Sequence, residues 1–286
     1  MRLLVTSLLL ALMYASPACA QLQLQGAAPP GAATGGPGGP GGADAAKKPL
    51  PAPVRQPGDD LIAGRDLLHH GSRGTMRFEI RGGALRISRL LFQGDLTERP
   101  GEPCRVEIEQ GVDLQQVGRP AGVMRYKAAL EVCPFTLEVL DGAVLVAGEL
   151  CEVKAAACTV DPAGLWGPAG NSIRGEQLVA IERARRAAEE RARTYFRALL
   201  NTSKDKNETK RIAAEQAGFS SRREEVCSSY QRETVHGFCG ARLTEARAFA
   251  LRAEIDKAAP QPAARAKPAR KPQPRATESA PASNLY

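Results

Sequence analysis

Two periods of hydrophobic alternation divide this chain. From residue 76 to 153 apolar positions recur every second residue: Met76, Phe78 and Ile80, then Leu85 and Ile87 beyond a Gly82-Gly83 break. Cys104, Val106 and Ile108 alternate again, as do Met124, Tyr126, Ala128, Leu130 and Val132. A period of two marks strands with one buried face. Asp141-Gly142 separates residues 135–140 from 143–147. That dipeptide supplies the positive φ a type I′ hairpin turn needs at both central positions. The pattern predicts about six short antiparallel strands forming a small sheet or open barrel.

From residue 175 the period lengthens. Leu178, Ile181, Ala184, Ala188, Ala192, Tyr195 and Leu199 form a narrow helical stripe, with Glu182/Arg186 and Glu189/Arg193 as i,i+4 pairs on a solvated face. Two more helices are expected over residues 208–230 and 242–257. The fold class is therefore α+β: a small antiparallel β domain (72–160), a linker (161–174), and a disulfide-stapled helical hairpin or bundle (175–257). The linker reads Asp161-Pro162-Ala163-Gly164-Leu165-Trp166-Gly167-Pro168, and Trp166 is expected to plug the joint between the halves.

The flanks change this picture only at the edges. Met1-Arg2, an apolar run from Leu3 to Tyr14 and Ala18-Cys19-Ala20 read as a secretory signal (1–20) cleaved after Ala20. A lipoprotein attached at Cys19 is the less favoured alternative, since Ser16 stands where a lipobox wants Leu. No later run is long enough to span a bilayer, so the mature chain is expected to be periplasmic or secreted. Residues 21–71 are rich in Gly, Pro and Ala and read as a disordered linker; 258–286 read as a disordered basic Pro/Ala-rich tail. The net charge is +8, and Lys257 onward holds six Lys/Arg against one Glu.

Of seven cysteines, six remain after signal removal: Cys104, Cys133, Cys151, Cys158, Cys227 and Cys239. An even count in an exported chain reads as disulfides, and locality favours Cys104–Cys133, Cys151–Cys158 and Cys227–Cys239 among many connectivities. No CxxC pair and no histidine beside Cys151 or Cys158 supports a zinc site. Neither a metal nor a cofactor is expected.

One stretch is more specific than the rest. Gln216, Phe219, Arg223 and Cys227 fall on one helical face, and Thr244, Arg247 and Leu251 repeat that spacing after Cys239. Arg223 and Arg247 have apolar neighbours, as expected of stems packed on a core with paired heads. This pattern resembles the LprI-like lysozyme-inhibitor family of exported bacterial proteins, over roughly residues 195–255. Those proteins carry Gln-x-x-aromatic-x-x-x-Arg-x-x-x-Cys, a loop, a second cysteine and Thr-x-x-Arg. The resemblance implies a lysozyme or other peptidoglycan hydrolase as partner, blocked at its cleft. The loop 228–238 is then the candidate contact, with Arg232 and His236 as charged contacts and Phe238 as apolar anchor.

Chemistry of other kinds finds little footing. The three histidines are His69 and His70, expected as a solvated pair at the edge of the tether, and His236 in the loop. No G-x-S-x-G, H-E-x-x-H or Walker motif occurs, and Ser203-Lys204-Asp205-Lys206 matches S-x-x-K without its companion motifs. An enzyme is not expected. The alternative function is an envelope adaptor or scaffold that binds cell-wall or lipopolysaccharide polyanions through its basic tail. Nucleic acid is a poor partner for an exported chain without interleaved aromatic and basic residues.

Overall fold

The computed structural model describes residues 50–51, 55–203 and 205–258. The expected signal segment, the tether before residue 50 and the tail from residue 259 lie outside the described residues. The strands are β1 (Asp66–His69), β2 (Arg73–Arg81), β3 (Ala84–Leu96), β4 (Arg99–Ile108), β5 (Val112–Gly118), β6 (Arg125–Ala128), β7 (Phe135–Leu140), β8 (Ala143–Gly148), β9 (Cys151–Val153), β10 (Cys158–Val160) and β11 (Gly164–Gly167). Four α-helices follow among the described residues: α1 (Glu176–Thr202), α2 (Lys206–Ser228), the single turn α3 (Glu233–His236) and α4 (Phe238–Ala258).

Eight strands close into an antiparallel barrel, in the ring order β1-β2-β3-β5-β6-β7-β8-β11 and back to β1. Closure removes the sheet edges that an open sheet of this size would expose. The long β3 does most of the joining. It pairs with β2 and β5 inside the ring, and its C-terminal half continues outward to hold β4 and β10. A register shift at Arg77/Phe78 lets β2 bend with the wall. Met76, Phe78, Ile87, Phe92, Leu137, Val139 and Val144 fill the interior, all within 1% of complete burial.

Two segments expected to be linkers are barrel wall. β1 lies inside the 21–71 stretch and pairs with β2 and β11. β11 lies inside the 161–174 stretch and is hydrogen-bonded on both sides, Trp166 standing opposite Val144 of β8 and His69 of β1. Gly164 and Gly167, with Pro162 and Pro168 on either side, make this strand read as a joint in the sequence. Trp166 instead sits in the barrel core, 1% exposed, and its indole Nε1 donates to the Pro162 carbonyl at 2.9 Å. Residues just before β1 are tied in as well: the Tyr126 hydroxyl donates to Asp59 at 2.6 Å and Ile62 is fully buried.

The helices lean on the outside of the barrel. Leu140, Ala143 and Leu165 on the barrel share a core with Ile181 of α1, Cys227 of α2, and Phe238, Ala241 and Leu243 of α4. A second apolar cluster joins Ala192, Tyr195 and Leu199 of α1 to Ile212 of α2 and Ala248 and Leu251 of α4. Arg242, 8% exposed, bridges the two halves: its guanidinium meets Asp141 at the β7–β8 turn at 3.1 Å and Glu245 at 2.6 Å.

Among the described residues three disulfides form: Cys104–Cys158, Cys133–Cys151 and Cys227–Cys239. Only the third follows sequence locality, so the expected Cys104–Cys133 and Cys151–Cys158 pairs are corrected. Cys104 on β4 and Cys158 on β10 are 54 residues apart, yet both strands pair with the same end of β3. Cys133 and Cys151 sit just beyond the ends of the β7–β8 hairpin, where Phe135 opposes Gly148.

Candidate functional site

The residues of the Gln216–Leu251 signature meet at the α2–α4 interface as an antiparallel ladder. The Arg247 guanidinium donates to Gln216 at 3.2 Å, that of Arg223 donates to Thr244 at 3.2 Å, and Cys227 is bonded to Cys239. Arg223 also lies over the Phe219 ring, 5.6 Å from its centroid. Leu251, 2% exposed, closes the far end in the α1–α2–α4 core. Each rung thus joins two residues that the sequence pattern lists on separate helices. Burial holds the Arg247 guanidinium below its ordinary value, and Glu215 at 3.7 Å acts against that shift.

Beyond the disulfide the chain from Ser228 to Gly237 is clamped to the barrel. The Gln231 amide donates to the His70 carbonyl at 2.8 Å, and the Gln231 side chain accepts from the Asn171 amide at 3.1 Å. The Tyr230 hydroxyl donates to the Pro168 carbonyl at 2.7 Å; burial raises its pKa well above the ordinary phenol range. Contact is close: a methyl group on Gly170 would stand 2.0 Å from the Gln231 carbonyl oxygen. Glu233 accepts from the Cys239 and Gly240 amides at 2.9 and 2.8 Å, capping the start of α4. Burial raises its carboxyl pKa despite those amides.

The three expected contact residues separate here. His236 and Phe238 are buried, at 6% and 4% exposure, so neither offers a surface to a partner in this arrangement. His236 Nδ1 accepts from the Phe238 amide at 3.1 Å, which fixes the Nε2–H tautomer that donates to the Gln231 carbonyl at 2.8 Å. Its role is to fold the loop. Phe238 packs against Tyr230 and beneath Arg242. Arg232 alone of the three is exposed. Its backbone is left-handed, with φ 58°, and it meets no carboxylate within 4.0 Å among the described residues. Val235, 57% exposed, stands three positions on.

Next to this loop lies a feature that sequence reasoning misplaced. His69 and His70 are not a solvated pair. His69 is 6% exposed, stacks on Trp166 with ring centroids 4.8 Å apart, and its Nε2 lies 2.7 Å from the Ala163 carbonyl. His70 has φ 50°, and its Nδ1 is buried without a hydrogen-bond partner. Burial lowers both imidazoles; His70, also repelled by His69 and Arg73, falls to about 4. The pair borders a cavity of about 440 Å³ whose walls include Arg73, Thr159, Asp161 and Ser229. Two neutral imidazoles there can donate or accept hydrogen bonds, and Arg73 supplies a cation. The sequence signal is His-His-Gly at a strand end, which the Gly- and Pro-rich composition of the preceding stretch makes easy to discount. Among the described residues no group of three or more His, Cys, Asp or Glu side chains is placed to hold a metal ion.

Comparison of the chain with family models, with curated proteins and with solved structures finds no match.

Proposed function

We propose that this chain is an exported, non-enzymatic binding protein of the cell envelope that inhibits a lysozyme or another peptidoglycan hydrolase through the Ser228–Gly237 edge. The carrying observation is Arg232. It is exposed, free of carboxylate partners among the described residues, and held in a left-handed conformation on a loop fixed at both ends. A non-glycine residue kept at positive φ costs free energy and persists where the surroundings impose it. Hydrolases that cleave glycans present a pair of carboxyl groups in their cleft. A guanidinium carried on this fixed loop and entering such a cleft gains a charge-assisted bond without the cost of ordering the loop. Val235 supplies an apolar contact beside it. The Cys227–Cys239 bond and the Gln231–His70 hydrogen bond keep the edge in place.

Titrating the oxidised mature chain into peptidoglycan lysis tests this reading. The native chain should inhibit, and Arg232→Ala should weaken inhibition by at least about tenfold, the loss of one charge-assisted bond. Equal inhibition by the two would remove Arg232 from the interface. Inhibition or surface binding lost only on truncation after Asp256 would favour the adaptor reading, in which the basic tail engages cell-wall polyanions.

A further inference from the structure

The geometry points to a second ligand site: we propose that the cleft between α1, α4 and the barrel binds an amphipathic anion, one acidic headgroup on an apolar body. The cleft has a volume of about 680 Å³, inside the range of roughly 300–1,000 Å³ typical of small-molecule sites. It is separate from the stapled edge, for it opens along α4 from Glu245 to Lys257, well past Cys239. This inference does not rest on the inhibitor reading.

The floor is apolar and firmly packed. Leu140 of β7 and Tyr195 of α1 are each 2% exposed, Ala248 is 4% exposed, and the half-buried Phe249 forms one side. Gly122 brings the β5–β6 loop against α4, since a methyl group there would stand 2.6 Å from the Phe249 carbonyl oxygen. That approach sets the width of the cleft. That wall is therefore set by packed backbone, which limits the ordering cost of binding, while the segment of residues 55–61 before β1 forms another side.

The rim is cationic in a particular way. Five cations and four carboxylates line the cleft. Three of those carboxylates are already engaged: Asp141 and Glu245 by Arg242, and Asp256 by Arg252. Lys257 is engaged by Glu254. Arg55, Arg119 and Arg191 have no carboxylate within 4.0 Å among the described residues, and only Asp60 stands against them. Arg119 reaches no further than Gln56, at 2.5 Å. Guanidinium forks around an apolar floor match a carboxylate, sulfonate or phosphate carried on a hydrocarbon or aromatic body. A neutral apolar ligand would leave the rim unused, and a polyanion without an apolar part would leave the floor unused.

The experiment is a fluorescence titration of the full oxidised mature chain with anilinonaphthalene sulfonate, followed by displacement with laurate or with dodecyl maltoside as the neutral comparator. Vesicles with and without phosphatidylglycerol distinguish a free anion from a lipid headgroup. One saturable site displaced by laurate and not by the maltoside is the expected result. Arg119→Gln with Arg191→Gln should weaken it by at least about tenfold, with an unchanged circular dichroism spectrum. Ala253→Trp, which fills the cleft and leaves every charge in place, should remove it. Vesicle binding that needs phosphatidylglycerol and the same two arginines would assign the site to a lipid headgroup. No saturable site for any of the probes, or binding that survives both the double arginine variant and Ala253→Trp, overturns the proposal.

Discussion

At the scale of single residues, His70 carries the sharpest consequence. Its folded pKa, about 4, lies below the ordinary value of 6.5. Between those values the unfolded chain binds the extra proton, so the contribution is full above 6.5 and is lost as pH falls through the window. His69 is lowered too and acts with the same sign. Glu233, raised by burial, acts oppositely, since its folded form holds a proton longer. Replacing His70 by Asn, which tolerates the left-handed region, should flatten the fall in melting temperature from about pH 6.5 to about 4. Melting curves of native and His70→Asn protein across that range measure it, and parallel curves would contradict it. Gly170→Ala works through sterics instead. The added methyl would press on the Gln231 carbonyl and should lower stability by about 1–3 kcal/mol. A chemical denaturation midpoint reads that loss directly.

Elements set the next scale, and here the legible parts of the sequence had local causes. The β7–β8 hairpin follows from Asp141-Gly142, because the turn alone fixes the register. The same register, extended two residues beyond Phe135 and Gly148, carries position 133 opposite 150. The Cys133–Cys151 bond lies one residue off that register, so it depends on the chain leaving the ladder beyond Gly148 and does not follow from the turn alone. Cys104–Cys158 was not readable, for it depends on β3 being long enough to pair with four strands. β1 and β11 were missed for a related reason: each is four residues long, and glycine or proline neighbours mask its alternation. The helices were legible from their stripes, but the end of the 228–238 loop was not, since Phe238 already begins α4. In the candidate site the signature residues were found, while the burial of His236 and the His69–Trp166 stack depended on the barrel wall behind them. The staple itself can be weighed. In the loop-entropy model, replacing Cys227 and Cys239 with Ser should cost about 3 kcal/mol. The loss should show in denaturation of the variant beside the oxidised native chain.

For the whole molecule, barrel and helices depend on one another. A fragment limited to residues 72–160 lacks β1 and β11 and leaves open the ring between β2 and β8. It should fail to melt cooperatively, whereas residues 55–258 should show a single cooperative transition; calorimetry on the two fragments decides. Net charge acts at the same scale. The chain carries +8, so its approach to a basic hydrolase is opposed at long range and should speed up as salt screens the repulsion. Binding to a polyanion through the tail should instead weaken with salt. Association rates at low and physiological ionic strength therefore separate the two partners by sign.

The most direct test of the inhibitor account is the inhibition constant of residues 55–258, oxidised, against a peptidoglycan hydrolase, measured beside the same fragment with Arg232→Ala. The account predicts that the fragment inhibits as well as the mature chain and that the substitution weakens it by at least about tenfold. A cooperatively folded fragment that leaves lysis untouched, or one indifferent to Arg232, would contradict it.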